Sequence, residues 1–224
     1  MSAKTVERAQ AVGLTDASSL AGLVASSETI LSVCPPHAAL DVATDVAALG
    51  FGGTFVDGNA ISPARSREVE AVVTDAGAGE VANVFADSPL RVIAIEGPTG
   101  AASALKMCYA AYTKGTTALL AAILAVAERE GVSDPLAQEW ATSQPDLAAR
   151  SAARVKASTA KAWRFVGEME EISATFQQAG VPGGFHAAAA EVYGRLAGFK
   201  DLESPPDVAV ILDALLLSSD TVAQ

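Results

Sequence analysis

Residues 97–130, GPTGAASALKMCYAAYTKGTTALLAAILAVAERE, form the stretch that decides the fold. From Thr99 to Glu130 apolar residues cover nearly every face at helical spacing, which predicts one long buried helix. Its longest uncharged part, Gly115 to Ala127, has 13 residues. A membrane-spanning helix needs roughly 18 to 20 apolar residues, so we expect the core helix of a soluble protein and no membrane partner.

The chain before residue 97 alternates two kinds of signal. Short β-branched runs end in Pro, Gly or Asn and alternate with helical candidates, which predicts right-handed crossovers and a parallel sheet. The strand candidates are 29–34, 54–56 and 91–95. The helical candidates are 2–11, 18–26, 37–49, 63–76 and 80–86.

After residue 97 the strand signals stop, and breakers such as Gly131 and Pro182 separate further helical candidates. These candidates are 135–142, 146–155, 160–179, 185–197 and 207–218. The sequence therefore predicts an α/β domain over residues 1–96, followed by an all-α domain over residues 97–224.

Charge and cysteine content exclude several classes of partner. The 15 Lys and Arg residues against 26 Asp and Glu give a net charge of −11, and no run is rich in cations. Because nucleic acids are bound through clustered cations, we expect no nucleic-acid partner. Cys34 and Cys108 are too few for a disulfide framework and lack metal-ligand spacing. Residues 1–10 contain no apolar signal core, so we expect a cytoplasmic protein with no metal site.

Three loops follow the strand candidates, at Cys34–His37, Asp57–Pro63 and Glu96–Gly100. Ligands of open parallel sheets bind outside the carboxyl ends of the strands, so these loops are candidate binding segments. The same Pro, Gly, Asn and Asp residues are also what ordinary turns and helix caps require. Both interpretations stay open at this level.

Lys106 lies two turns into the long helix, between Leu105 and Met107. Burial would lower the pKa of a lysine, and a proton donor or acceptor near neutral pH requires such a shift. The alternative is a lysine that extends to solvent or pairs with a carboxylate.

A second dense segment, residues 161–172, and the helix after it carry further candidates. At helical spacing the chain shows an apolar stripe of Phe165, Met169, Ile172 and Phe176, and a charged stripe of Lys161, Arg164, Glu168 and Glu171. The first predicts a core face and the second a solvated face. His186 is either a substrate-binding residue or a residue packed at a helix end.

The motifs ILSVCPPH (30–37), FVDGNAISP (55–63), GPTGAASALKM (97–107) and KAWRFVGEMEEI (161–172) occur in this order. In combination they resemble the 6-phosphogluconate and β-hydroxyacid dehydrogenase superfamily, over nearly the whole chain. The resemblance implies a Rossmann-like NAD(P)-binding domain followed by an all-α domain that forms a homodimer. It also implies hydride transfer to or from a hydroxyacid-like substrate.

The resemblance assigns roles to matching positions. Lys106 falls where the family keeps its catalytic lysine, which exchanges a proton with the substrate oxygen. The implied substrate-binding residues are Asn59, Ala60, Gly97, Thr99, Gly100, Ser103 and Tyr109. The implied cofactor-binding residues are Ser2, Thr5, Arg8, Cys34, Pro35, Pro36 and Asn59. Ser2, Thr5 and Arg8 match positions that hold the 2′-phosphate of NADP, which favours NADP slightly over NAD.

Several features of the family are missing from this sequence. It begins after the family's first strand, its G-x-G-x-x-G turn and its second strand, and a further gap falls between Ala78 and Gly79. Asn59 and Ala60 replace the Ser and Thr of the family's substrate loop, and Ala110 replaces an Asn. We therefore expect an incomplete Rossmann-like domain. The alternative function is a non-catalytic relative whose helical half is a dimerisation or scaffold module.

Overall fold

A computed structural model of the chain describes residues 3–73, 81–82, 85–86, 88–89, 92–200, 202 and 204–216. The chain divides into two compact units. The sheet unit comprises residues 1–34, 38–58 and 68–94, and the helical unit comprises residues 35–37, 59–67 and 95–224. The predicted fold class, an incomplete α/β part with an all-α part, is confirmed. The domain boundary at residue 96 stays a prediction.

The sheet unit contains a two-stranded parallel sheet. Strands β1 (Thr29–Ser32) and β2 (Thr54–Asp57) pair in parallel, with Ile30 opposite Phe55. The other elements that begin in this part of the chain are α1 (Ala3–Ala11), α2 (Leu20–Ser26), α3 (Ala39–Ala48) and α4 (Pro63–Val72). The β1–α3–β2 connection is a crossover, as the alternating pattern predicts.

The prediction of a third strand at 91–95 is wrong for residues 92–95, which are the residues of this run that the structure describes. Residues 92–95 form no strand and are exposed, and Arg91 lies outside the described residues. A β-branched run becomes a strand only where a neighbouring strand accepts its backbone hydrogen bonds. Of the predicted helix at 80–86, residues 81–82 are helical and residues 85–86 form a turn, while residues 80, 83 and 84 lie outside the described residues.

The helical unit follows the predicted order of helices. These are α5 (Ala101–Ala110), α6 (Thr116–Arg129), α7 (Ser133–Ser143), α8 (Leu147–Ser158), α9 (Ala162–Gln178), α10 (Gly184–Arg195) and α11 (Val208–Leu216). Short 3-10 turns occupy Pro36–Ala38, Thr159–Lys161 and Ala197–Phe199. The predicted apolar stripe of α9 is confirmed, because Met169 and Ile172 are fully buried and Phe165 and Phe176 pack against the same core.

The predicted long helix is continuous over Ala101–Arg129, with a π-helical segment at Ala111–Gly115 that joins α5 to α6. By length and composition alone this 29-residue helix is apolar enough to cross a membrane, but half of its most apolar window is buried inside the protein. Its buried side packs against α8, α9, α10 and α11. This is the environment of a core helix, and the absence of a membrane partner stays a prediction.

Candidate functional site

The helical unit contains most of the three predicted loops. Residues 35–37, 59–67 and 95–100 belong to it, whereas Cys34, Asp57 and Gly58 belong to the sheet unit. Pro36, of the predicted loop Cys34–His37, packs against α9 at Gly167. A Cβ built on Gly167 would lie 3.8 Å from Pro36 Cγ. The helical unit, which carries Lys106, therefore also carries residues 59–63 of the predicted substrate loop.

Glu171 on α9 binds the end of this substrate loop. Its Oε2 accepts a hydrogen bond from the Ser62 backbone N–H at 2.7 Å, and its Oε1 lies 3.0 Å from Arg65 Nε. The Glu171 side chain is only 11% exposed. A carboxylate is favourable here because Ser62 precedes the first turn of α4, whose N–H groups carry partial positive charge. The prediction that Glu171 lies on a solvated face is wrong.

The same loop contacts the start of the long helix. Gly100 adopts a left-handed φ of 93°, and a Cβ there would lie 2.9 Å from Pro63 O, so the contact requires glycine. Arg67 Nη1 also donates a hydrogen bond to Thr99 O at 3.4 Å. Residues 59–67 are thus attached both to α9 and to the N-terminus of α5.

The predicted substrate-binding residues differ in burial. Asn59 is buried, Ala60, Thr99, Gly100 and Ser103 are half-buried, and Gly97 and Tyr109 are exposed. Of this set, Asn59 and Ala60 lie in the loop that Glu171 binds, and Gly100 and Ser103 lie at the start of α5. The structure therefore brings the two groups into one unit, and their roles stay predictions.

Of the two interpretations of Lys106, the structure favours the lysine that extends to solvent, because its side chain is exposed. Apolar neighbours suggested burial, but only Met107 and Ala110 of this helical turn face the core, while Leu105 and Tyr109 face outward with Lys106.

The predicted cofactor residues lie in both units. Thr5, Arg8 and Cys34 belong to the sheet unit, and Pro35, Pro36 and Asn59 belong to the helical unit. Ser2 lies outside the described residues. Arg8 Nη2 donates a hydrogen bond to Thr5 Oγ1 at 3.5 Å, so one turn of α1 offers a guanidinium and a hydroxyl together.

These residues fit a dinucleotide in part. A guanidinium and a hydroxyl suit a phosphate monoester. Pro35 and Pro36 lack the backbone N–H that a pyrophosphate cradle needs, and the sequence contains no G-x-G-x-x-G turn. Across the described ranges, no group of three or more His, Cys, Asp or Glu side chains could hold a metal ion.

The π-helical segment has a polar environment of its own. Tyr193 Oη donates a hydrogen bond to the Lys114 carbonyl at 2.8 Å, and the Lys114 ammonium pairs with Glu168 beside the Phe165 ring. A π turn departs from the regular hydrogen-bond ladder, and here a buried hydroxyl satisfies one of its carbonyl groups. The prediction that Glu168 lies on a solvated face is wrong, because its side chain is only 16% exposed and pairs with Lys114.

His186 is a packed residue. It is 5% exposed, with its ring edge-on to Phe176 and Phe185 at 4.4 and 5.2 Å between centroids. Its Nδ1 is buried and has no hydrogen-bond partner among the described residues. Burial lowers the pKa of His186 below its ordinary value. Of the two interpretations of His186, the geometry favours packing at a helix end.

Comparisons with known proteins agree with the motif resemblance. A conserved hypothetical protein from Sinorhizobium meliloti 1021 is 25% identical, with 95% of this chain and 82% of that chain covered and a TM-score of 0.65. Conserved protein MTH1747 of unknown function, described as structurally similar to 3-hydroxyacid dehydrogenases, is 25% identical, with 89% and 85% covered and a TM-score of 0.61. No curated protein matches this chain.

These likenesses and the described fold define the class of protein: the chain has a 3-hydroxyacid dehydrogenase-like fold. The resemblance to that superfamily is confirmed. Within the chain, residues 127–196 match the family described as a domain of unknown function, DUF1932. The matched residues run from the end of α6 to just beyond α10.

Proposed function

We propose that this chain is an NAD(P)-dependent oxidoreductase that acts on a hydroxyacid-like substrate. The observation that supports the proposal most is the 3-hydroxyacid dehydrogenase-like fold, in which the loop with Asn59 and Ala60 is joined to the start of the helix that bears Lys106. Related folds carry many activities, so the proposal depends on these site residues as well.

In the proposed oxidation, the substrate carbon loses a hydride and the substrate hydroxyl loses a proton, which leaves an oxo acid. A bound nicotinamide dinucleotide supplies the hydride acceptor. Lys106 accepts the hydroxyl proton when it begins as a neutral amine, and it returns this proton in the reverse reaction. Asn59, Ser103 and the Gly97–Gly100 turn orient the substrate oxygen and carboxylate.

We assign the cofactor contacts to the residues that the motifs match. Thr5 and Arg8 would bind the 2′-phosphate of NADP, as would Ser2. The loop Cys34–Pro36 and Asn59 would lie along the dinucleotide. NADP is favoured slightly over NAD because a guanidinium paired with a hydroxyl on α1 suits a phosphate monoester.

We also propose a homodimer formed through the helical unit. Leu105, Tyr109 and Tyr112 lie on successive turns of the long helix, and their side chains are 60%, 69% and 68% exposed. Contiguous exposed apolar surface of this kind marks interaction sites in soluble proteins.

One observation favours a second candidate function, a non-catalytic scaffold. Lys106 is exposed in the single chain, whereas efficient proton transfer uses a tuned and shielded group. If nothing covers Lys106, the helical unit remains as a dimerisation module without turnover.

Titration with NADPH, followed by nicotinamide fluorescence, separates the two functions. The oxidoreductase is expected to bind NADPH saturably, and turnover of NADP⁺ with a panel of 3-hydroxy acids identifies the reaction. Lys106→Ala should then lower turnover by about 10²- to 10⁴-fold while the dissociation constant of NADPH is unchanged. Lys161→Ala, an exposed lysine on the 3-10 turn before α9, is the matched control. An absence of saturable NADPH binding up to millimolar concentration would support the scaffold.

A further inference from the structure

We infer that Glu171 is a positioning residue, which fixes the loop of Asn59–Ser62 relative to the helix that carries Lys106. The positioning claim stands on contacts within the helical unit. Its consequence for turnover rests on the proposed function.

The first argument is that both carboxylate oxygens of Glu171 contact the end of this loop. One accepts from the Ser62 backbone N–H at 2.7 Å and the other pairs with Arg65 at 3.0 Å. Ser62 and Glu171 are 109 residues apart in the chain. A hydrogen bond to an ionised acceptor is stronger than a neutral one, and its loss leaves the buried N–H unsatisfied.

The second argument is the burial of the loop. Asn59, Ile61 and Ser62 are 7%, 0% and 3% exposed, although no helix or strand includes them. A buried irregular segment must satisfy its backbone groups through side chains or other loops. Glu171 does this for Ser62, at the last residue before α4.

The third argument is the route from Glu171 to Lys106. Ser62 precedes Pro63, and Pro63 is in close contact with Gly100, the residue that caps α5. Lys106 follows in the second turn of α5. Displacement of Ser62 would therefore change where the loop lies relative to the first turns of α5.

Two variants of Glu171 separate a positioning role, which needs its hydrogen bond and its charge, from simple packing of the side chain. Glu171→Gln keeps an oxygen that accepts from the Ser62 N–H but loses the ion pair with Arg65. Glu171→Ala loses both contacts. Glu170→Ala is the matched control, because Glu170 is the neighbouring exposed carboxylate on the same helix.

The first experiment measures hydrogen exchange of the Ser62 amide and of peptides that cover residues 59–66. Glu171→Ala should accelerate exchange there by about 10- to 100-fold, as expected for loss of a charged hydrogen bond. Glu171→Gln should have a smaller effect and Glu170→Ala none. Unchanged exchange in Glu171→Ala, or acceleration that is equal throughout the helical unit, would overturn the inference.

The second experiment measures turnover with NADP⁺ and 3-hydroxybutyrate as the probe substrate. Glu171→Ala should raise the KM for the hydroxy acid by about tenfold or more. Its effect on NADPH affinity should be smaller, because Asn59 is the one residue of this loop that is also assigned to the cofactor. Glu171→Gln should recover most of the loss in KM. A loss of NADPH affinity in Glu171→Ala as large as the rise in KM would contradict positioning of the substrate loop. If the wild-type protein shows no turnover with any 3-hydroxy acid, the proposed function fails, and the exchange experiment alone still decides the role of Glu171.

Discussion

Replacement of Tyr193 by Phe tests the account of the π-helical segment. The Tyr193 side chain is 1% exposed, and its hydroxyl donates to the Lys114 carbonyl at 2.8 Å. Burial raises the pKa of Tyr193 above its ordinary value, so the hydroxyl stays a donor across the neutral range. Phe keeps the edge-to-face contact with Phe165. The variant therefore removes the hydrogen bond to the Lys114 carbonyl, which should cost about 1 kcal/mol.

Urea unfolding followed by tryptophan fluorescence is a suitable assay, because the protein has two tryptophans, Trp140 and Trp163, and both lie in the helical unit. Tyr193→Phe should lower the free energy of unfolding by the stated amount with an unchanged m value. Tyr112→Phe, in which the altered ring is largely exposed, should stay within about 0.5 kcal/mol of wild type. Equal stability of the two variants would refute the idea that this hydroxyl supports the π segment.

Three further predictions concern the helical unit. Gly183→Ala should destabilise it by about 1–3 kcal/mol, because the new Cβ would lie 2.5 Å from Ser173 O. Gly184→Ala should stabilise it by about 0.5–1 kcal/mol, because the new Cβ has open space and residue 184 is helical. Urea midpoints that shift in the same direction in both variants would contradict this. The contribution of neutral His186 to stability should be complete above its ordinary pKa of 6.5 and be lost as pH falls through its lowered folded-state pKa. His186→Gln should therefore weaken the pH dependence of the urea midpoint between about pH 7 and 5. An unchanged pH dependence in the variant would exclude His186 as its cause. Tyr112→Asp should shift the sedimentation coefficient from dimer to monomer, and an unchanged coefficient would place the proposed interface elsewhere.

The long helix was predictable because its signal is local. Alanine and leucine at helical spacing continue from residue 99 to 130, and the observed helix covers Ala101–Arg129. The π-helical segment has no such signal, and the Tyr193 hydroxyl that contacts its Lys114 carbonyl lies 79 residues further along the chain. Local periodicity predicts an element but not which of its turns is irregular.

The candidate site was harder to predict, because its geometry depends on distant partners. Glu171 follows the charged spacing of α9, which is the same for a solvated residue and for one bound to a loop 109 residues away. Lys106 has apolar neighbours on both sides, but burial depends on the helix face, and Lys106 lies on the outer one. The run at 91–95 has strand-forming residues, but its described residues 92–95 do not pair with a neighbouring strand and therefore form no strand.

The interleaving of the two units has a consequence for how the protein is made and dissected. The chain passes from one unit to the other at residues 34/35, 37/38, 58/59, 67/68 and 94/95. A fragment that starts at residue 97 would lack the fully buried Ile61 and would leave Glu171 without either of its contacts. During synthesis, α10 and α11 leave the ribosome more than a hundred residues after residues 35–37 and 59–67, which belong to the same unit.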